Sequence, residues 1–275
     1  MPIYLDPYTA ESQAYASNHM TDPNTELNRL KLRWEPILRR PDWYLTIIPE
    51  IESFKRQRLA TQTEPIRDAV KTLLYDFFEG HLKRHTIALG RGGGMDVERK
   101  PIDTVVIHHT SNPPGLSPER LSAIELIRLY APYFLNPLSK QDEHLRGRPI
   151  YSGHVRRGQQ VFWPYHWIVR NDGSAYRLLH DSEIGWHAGS WDVNCRSIAI
   201  VLDNDYEWGP PSEGELRGIA RIIWNHYHFV SRSRILGHCE VTMKTVCPSR
   251  LFLDGGGHYG WKRQILSALG ERAAA

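Results

Sequence analysis

Four short stretches carry side chains able to bind a metal or move a proton. They are Ile107-His108-His109-Thr110, Pro164-Tyr165-His166, Gly185-Trp186-His187-Ala188-Gly189, and the run from Gly237-His238 to Cys247-Pro248-Ser249. Zinc prefers imidazole nitrogen and thiolate sulfur in a tetrahedron. A hydrolytic site supplies three protein ligands and leaves the fourth position to water. His108, His238 and Cys247 offer two nitrogens and one sulfur. A dipositive ion holding one thiolate keeps a net positive charge, enough to lower the pKa of a bound water toward about 7. The chain has 14 histidines, so any one of them, taken alone, reads better as a surface or hydrogen-bonded core imidazole. Side chains alternate along a strand. That puts His109 on the face opposite His108, and His166 opposite Tyr165, so both read as structural or as supports. Cys239 and Cys195 read as free thiols, with a Cys195–Cys239 disulfide as the alternative if the protein works outside the cytosol, although nothing in the spacing supports it. Glu240, two residues after His238, reads as a brace for the loop or for a histidine.

The elements that would hold these residues follow from periodicity. Thr104-Val105-Val106-Ile107 is an apolar, β-branched run that predicts a buried strand. Ser117-Pro118 opens a helix with Leu121, Ile124 and Ile127 on one face, expected to stop at Pro132. Residues 165–170 and 174–179 flank Asn171-Asp172-Gly173, a hairpin signal. Ser197 to Leu202 is a second apolar strand. Ser212 and Glu215 form a capping box ahead of Leu216, Ile219, Ala220, Ile223 and Tyr227 at helical spacing. Ile235-Leu236 is a short strand, and Trp261 to Leu269 a last helix stopped by Gly270. The charged stretch from Lys140 to Gly158 reads as a solvated loop, with a groove wall as the alternative. Together these predict an α/β protein with a mixed central sheet flanked by helices.

Ahead of this part lies a small helical N-terminal region. Leu27, Leu30 and Trp34 recur at helical spacing until Pro36. Thr63-Glu64-Pro65 starts a helix whose apolar stripe is Ile66, Val70, Leu73, Leu74 and Phe77. Residues 1–24 are polar and weakly patterned. The glycine-rich run at 90–94 divides residues 1–95, of no assigned chemistry, from residues 96–275.

Composition narrows the class. The chain has 275 residues, 41% hydrophobic and 24% charged, which excludes a wholly disordered or collagen-like chain. The balance of 34 Lys and Arg against 31 Asp and Glu gives a net charge of +3, too weak to argue for nucleic acid. Three cysteines make no disulfide framework. No apolar run reaches the roughly 18 residues of a membrane span, so no membrane partner is expected. The start, Met1-Pro2-Ile3-Tyr4-Leu5-Asp6, has no secretory pattern. The expectation is a chain that is cytoplasmic as synthesised.

Taken in order, the pieces resemble the zinc-dependent N-acetylmuramoyl-L-alanine amidases, the family of the phage amidase-lysozymes and the peptidoglycan recognition proteins. The matching segments are Val105 to Thr110, Tyr165 to Gly173, Trp186 to Gly189, Asn194 with Ser197 to Ile200, and Gly237-His238 with Cys247-Pro248-Ser249. They span roughly residues 100–268, and five ordered matches are more specific than any one. The resemblance implies an amidase-like fold and a Zn2+ cofactor held by His108, His238 and Cys247. It also implies Tyr165 as a catalytic position, and Trp186, His187, His109 and Asn194 as substrate-binding positions. The implied reaction is hydrolysis of the amide between N-acetylmuramic acid and L-alanine in peptidoglycan or a muropeptide. The alternative is a recognition module that binds peptidoglycan without cutting it. Residues 1–95 are a candidate docking region for a protein partner.

Two departures stand out. Relatives with an acidic catalytic residue carry it in the strand after Ser-Ile-Gly-Ile, where this chain has Val201. The loop from His238 to Cys247 is also a residue longer than in the phage and recognition branches. Those branches use a lysine or a threonine near the cysteine. Counting from His238 selects Lys244, and counting back from Cys247 selects Thr245. Candidates for protonating the leaving amine are Tyr165, Lys244 and His187.

Overall fold

The computed structural model describes residues 22–92 and 95–271. Most of the polar start and two glycines of the 90–94 run therefore lie outside the described residues. Contacts group the chain into two compact units. Of the described residues, one holds those up to Ala88 together with Ala131–Pro149, and the other holds those from Leu89 to Tyr130 and from Ile150 onward. Residues 131–149, which the sequence reading left with the C-terminal part, thus cluster with the N-terminal helices.

The first unit is helical. Helix α1 (Pro23–Ile37) is capped by Asp22, whose carboxylate accepts the Thr25 N–H at 3.1 Å. It runs one residue past Pro36 rather than stopping before it. A proline this near the end forfeits one intrahelical bond, and Leu38 N–H to Trp34 O at 2.9 Å closes the last turn. Helix α2 (Tyr44–Phe54), absent from the sequence reading, continues into π-helical Lys55–Leu59. Helix α3 (Glu64–Lys83) begins where Thr63-Glu64-Pro65 predicts. Trp34 and Trp43 close on Phe78, with ring centroids 6.5 and 6.0 Å away. Glu50 accepts from both Trp34 Nε1 and Arg33, each at 2.6 Å.

The second unit is built on a five-stranded sheet. Its strands are β1 (Thr104–His109), β4 (Trp167–Val169), β5 (Ala175–Arg177), β6 (Ser197–Leu202) and β7 (Ile235–Gly237). The order across the sheet is β5-β4-β6-β1-β7. Strand β1 pairs in parallel with both β6 and β7, and β4 pairs in parallel with β6. The β4–β5 hairpin is antiparallel, so the sheet is mixed, as the pattern predicts. Every residue of β1 and β6 is buried. Central parallel strands are covered on both faces, which is why these runs are continuously apolar rather than alternating. The hairpin turn needs Gly173 at φ +79°, where a Cβ would lie 2.4 Å from Gly214 O.

Helices cover both faces. Helix α4 (Pro118–Glu125) is capped by Ser117, helix α5 (Glu213–His226) by the Ser212–Glu215 box with both reciprocal bonds formed, and helix α6 spans Trp261–Glu271. One face of the sheet buries Val105, Ile107, Ile198 and Ile200 against Ile219, Ile223 and Ile265 of α5 and α6. Burying side chains of this size contributes about 1.5–3 kcal/mol each. On the other face Ile168, Leu178 and Val201 pack with Leu121 of α4. Three details differ from expectation. Pro132 does not end the helical path, because it falls in the first turn of a new segment, Ala131–Leu135, where its missing N–H costs little. Helix α6 continues through Gly270. The charged stretch is partly ordered, with a 3₁₀ turn at Lys140–Leu145 and an antiparallel pair, β2 (His154–Arg156) with β3 (Gln159–Val161). All three cysteines are free. Among the described residues no helix is long and apolar enough to cross a membrane.

His166 ties β4 to its neighbours. Its Nδ1 accepts the Ala199 N–H at 3.1 Å, and its Nε2–H donates to Glu183 O at 2.9 Å. Burial, with Arg99 nearby, holds this imidazole neutral down to about pH 3. An unfolded histidine takes its proton near pH 6.5. The unfolded state therefore binds more protons throughout that interval, and stability falls as pH falls. The slope per such group is about 1.4 kcal/mol per pH unit. Urea unfolding should give a lower stability at pH 5 than at pH 7, and the loss should shrink by one proton's worth in His166→Gln. An unchanged slope in that variant contradicts the assignment.

Candidate metal centre

Strand geometry delivers the first two candidate ligands. His108 lies near the C-terminal end of β1, opposite Val201 of β6, and Ile107 pairs with Gly237 of β7. His238 follows directly and starts a one-turn helix, His238–Val241. Ligands of open α/β sheets gather outside the carboxyl ends of parallel strands, and both histidines are there. The Glu240 carboxylate accepts the Gly237 N–H at 2.8 Å and meets Lys262 Nζ at 2.8 Å, so it braces this turn.

The third candidate returns on a loop. Cys239 N–H donates to Cys247 O at 2.7 Å, which holds the cysteine beside the turn. Gly237 permits a close approach here. A Cβ at that position would lie 2.5 Å from the Phe252 ring and 2.9 Å from Pro248, the residue after Cys247.

One donor atom each from His108, His238 and Cys247 falls within 4.8 Å of the others, and among the described residues this is the one such cluster of three. His108 Nδ1 lies 3.7 Å from Cys247 Sγ. Tetrahedral zinc with ordinary bond lengths would place nitrogen and sulfur about 3.6 Å apart. His238 Nε2 is buried and has no hydrogen-bond partner. Burial drives the His108 pKa well below the ordinary value, with the neighbouring histidines adding to it, and burial lowers His238 as well. Both rings are therefore neutral, the form that ligates a metal. Burial pushes the Cys247 thiol up to about 12. Two neutral imidazoles and a thiol form a donor set that fits zinc.

A cavity of about 300 Å³ opens over the cluster. Tyr165 is on its wall, with its ring 5.1 Å from that of His108. Burial is the main cause that holds the phenol well above its ordinary pKa, and charge at Glu125 and Cys247 adds to it. Thr245 lines the cavity and its hydroxyl oxygen accepts the Cys247 N–H at 3.1 Å. Lys244 is exposed and is not among the lining residues. The loop thus turns the threonine, counted back from the cysteine, toward the cluster.

The expected substrate positions separate. Trp186 and His187 line the cavity, and Trp186 stacks on Tyr130 at 5.2 Å. His187 Nδ1 meets His108 Nε2 at 3.0 Å, and its Nε2 meets Ser197 Oγ at 3.1 Å. Asn194 is buried away from the cavity. Its Oδ1 accepts the N–H groups of His187 and Ala188 at 3.2 and 2.8 Å. His109 touches the cavity, but its Nδ1 accepts the Tyr206 N–H at 3.2 Å, so the ring is also structural.

Sequence reasoning missed Glu125, Arg128 and Glu207 on the cavity wall. Glu125 is buried, and burial raises its carboxyl pKa, partly offset by Arg128. Its position four residues after Leu121, on the buried side of α4, was the available signal.

A family model described as N-acetylmuramoyl-L-alanine amidase matches residues 98–250. The 1,6-anhydro-N-acetylmuramyl-L-alanine amidase AmpD of Haemophilus influenzae is 22% identical over 110 residues, 37% of this chain and 56% of that protein. The chain therefore spans little more than half the length of this curated relative. Among solved structures, the N-acetylmuramoyl-L-alanine amidase LysC from Clostridium intestinale URNW is similar over 67% of this chain and 93% of its own, at 20% identity and a TM-score of 0.41. The Drosophila peptidoglycan recognition protein SD is similar over 59% and 83%, at 20% identity and a TM-score of 0.38.

If these three side chains are the ligands, Cys247→Ser and His238→Ala should each lose stoichiometric zinc, measured by metal analysis after dialysis, while the circular dichroism spectrum is kept. Retention of one zinc per chain by either folded variant removes the assignment.

Proposed function

The chain belongs to the N-acetylmuramoyl-L-alanine amidase family, and from that premise we propose that it is a zinc-dependent hydrolase of the amide between N-acetylmuramic acid and L-alanine. Its substrate in this reading is peptidoglycan or a muropeptide released from it. The observation that carries the proposal is the convergence of His108, His238 and Cys247 at the floor of one cavity. Every group named below lies between residues 96 and 275, the part to which we assign the chemistry.

When bound, zinc supplies Lewis-acid polarisation of the scissile carbonyl and acidifies a water nucleophile. The protein's own groups do the rest. Tyr165 keeps its proton at any physiological pH, because its pKa is displaced upward. It is thus a donor toward the oxygen on which negative charge develops. Thr245 accepts the Cys247 N–H through its hydroxyl oxygen, which leaves its own proton to donate in the same direction. Removing one such donor typically costs about 10²–10³ in rate.

A proton must also reach the leaving amine. Both ring nitrogens of His187 are engaged by His108 and Ser197, and the Lys244 side chain lies outside the cavity wall. Tyr165 and Glu125 remain. A carboxyl raised by burial holds its proton nearer to neutral pH than an ordinary glutamate does, so Glu125 suits a donor role. It would do work that position 201 does not, since Val201 is packed among Leu121, Ile168 and Leu178.

Digestion of purified peptidoglycan, with new L-alanine amino termini quantified by mass spectrometry, tests the reading. Zinc-loaded protein should release them, and chelated protein should not. Tyr165→Phe should lower turnover by about 10²–10³ with zinc content unchanged. Binding of peptidoglycan by zinc-loaded protein without any release would make the chain a recognition module instead.

A further inference from the structure

We propose that Ser197 and His187 act as positioning residues that fix the tautomer of His108, keeping its Nδ1 bare and aimed at the metal position. The inference rests on the zinc reading of the site and concerns how the first ligand is prepared.

The argument starts from a backbone carbonyl. Ser197 Oγ donates to Val193 O at 2.6 Å. A carbonyl can only accept, so the single hydroxyl proton is spent there. The same oxygen lies 3.1 Å from His187 Nε2. That contact then requires the imidazole to be the donor, with its proton on Nε2. A neutral imidazole carries one N–H, so His187 Nδ1 is a bare acceptor. It faces His108 Nε2 at 3.0 Å, and that bond requires the proton of His108 on Nε2. His108 Nδ1 is left without a proton. It is the nitrogen that sits 3.7 Å from Cys247 Sγ.

One backbone acceptor thus orients three successive hydrogen bonds. Ser197 is fully buried, and His108 and His187 are 1% and 7% exposed, so bulk water has little access to these groups. The reverse polarity would cost the bond from Ser197 to Val193. It would also put the His108 proton on Nδ1, where it blocks ligation. The backbone is held to match. Asn194 Oδ1 accepts the His187 N–H, and Ser197 opens β6, directly opposite Thr104 of β1. Metal-bound histidines usually pass their second N–H to a carboxylate, a carbonyl or water. Here the acceptor is another histidine, and the chain of bonds ends on a main-chain oxygen.

The test uses the full chain with labelled histidines, freed of metal by chelation. Two-bond ¹⁵N–¹H correlation spectra report which ring nitrogen carries the proton. The expected result is His108 with its proton on Nε2 and a bare Nδ1 before any metal is added. Zinc affinity, measured by competition with a chromophoric chelator, should fall about 10–100-fold in His187→Phe. It should fall less in Ser197→Ala, where His108 should show a mixture of tautomers. If His187→Phe fails to fold, Ser197→Ala and the wild-type spectrum still decide. A His108 proton on Nδ1 in the wild type overturns the proposal, as does unchanged zinc affinity in the folded variants. Neither readout needs turnover. A zinc-binding protein with the expected spectrum and no hydrolysis would defeat the amidase reading and keep this one. An active zinc enzyme with the wrong tautomer would do the reverse.

Discussion

The pairing of β1 with β7 is parallel, with Val105 opposite Ile235 and Ile107 opposite Gly237. Strands that run the same way end on the same side. His108 and His238 therefore emerge next to each other although 130 positions separate them in the sequence. Gly237 keeps that exit narrow enough for Phe252 and Pro248 to pack against it, and the packing returns Cys247 to the two imidazoles. Helices α5 and α6 stabilise this pairing from one face of the sheet. The cavity opens where the strands end and the backbone must turn.

Burial sets the chemistry of the cluster. Two imidazoles and a thiol are each pushed toward their neutral forms in this pocket. Neutral imidazole suits a metal, whereas a neutral thiol does not. An ion that binds there would restore the thiolate, and no lysine or arginine is needed to do so. Tyr165 is subject to the same force and is kept as a donor. On the sheet's other face Val201 completes a small apolar cluster. A carboxylate there would be buried without an ion pair, which is costly. Glu125 approaches the cavity from α4 instead, with Arg128 near enough to moderate its charge.

Much of this was legible in the residues. Strands β1 and β6 are runs that need cover on both faces, and their composition says so. The Ser212–Glu215 box and the Asn171-Asp172-Gly173 turn are local signals, and local signals survive into the structure. The candidate ligands were readable because their order along the chain matches a family, since in a chain with 14 histidines the residue type alone selects none of them. What could not be read depended on neighbours distant in sequence. Lys244 and Thr245 were equivalent by counting, and only the path of the loop separates them. The bond of His187 to His108 joins residues 79 apart, and no spacing rule reaches that far. The resemblance implies Asn194 as a substrate position, and that its amide oxygen accepts the backbone N–H groups of His187 and Ala188 is visible only in the structure. Helix α2 does bury Tyr44, Ile47, Ile48, Ile51 and Phe54 at helical spacing, but Pro49 inside it works against a helix in sequence terms, and the three-residue strands β2 and β3 are too short to show a period.

The central claim is that three separate segments make one metal centre of two imidazoles and one thiolate. X-ray absorption at the zinc edge, on the full chain loaded with one equivalent of zinc, tests it directly. The account predicts a first shell with a single sulfur and two imidazole nitrogens, and loss of the sulfur component in Cys247→Ser. A shell without sulfur, or with two sulfurs drawn from Cys239 and Cys247, would contradict it.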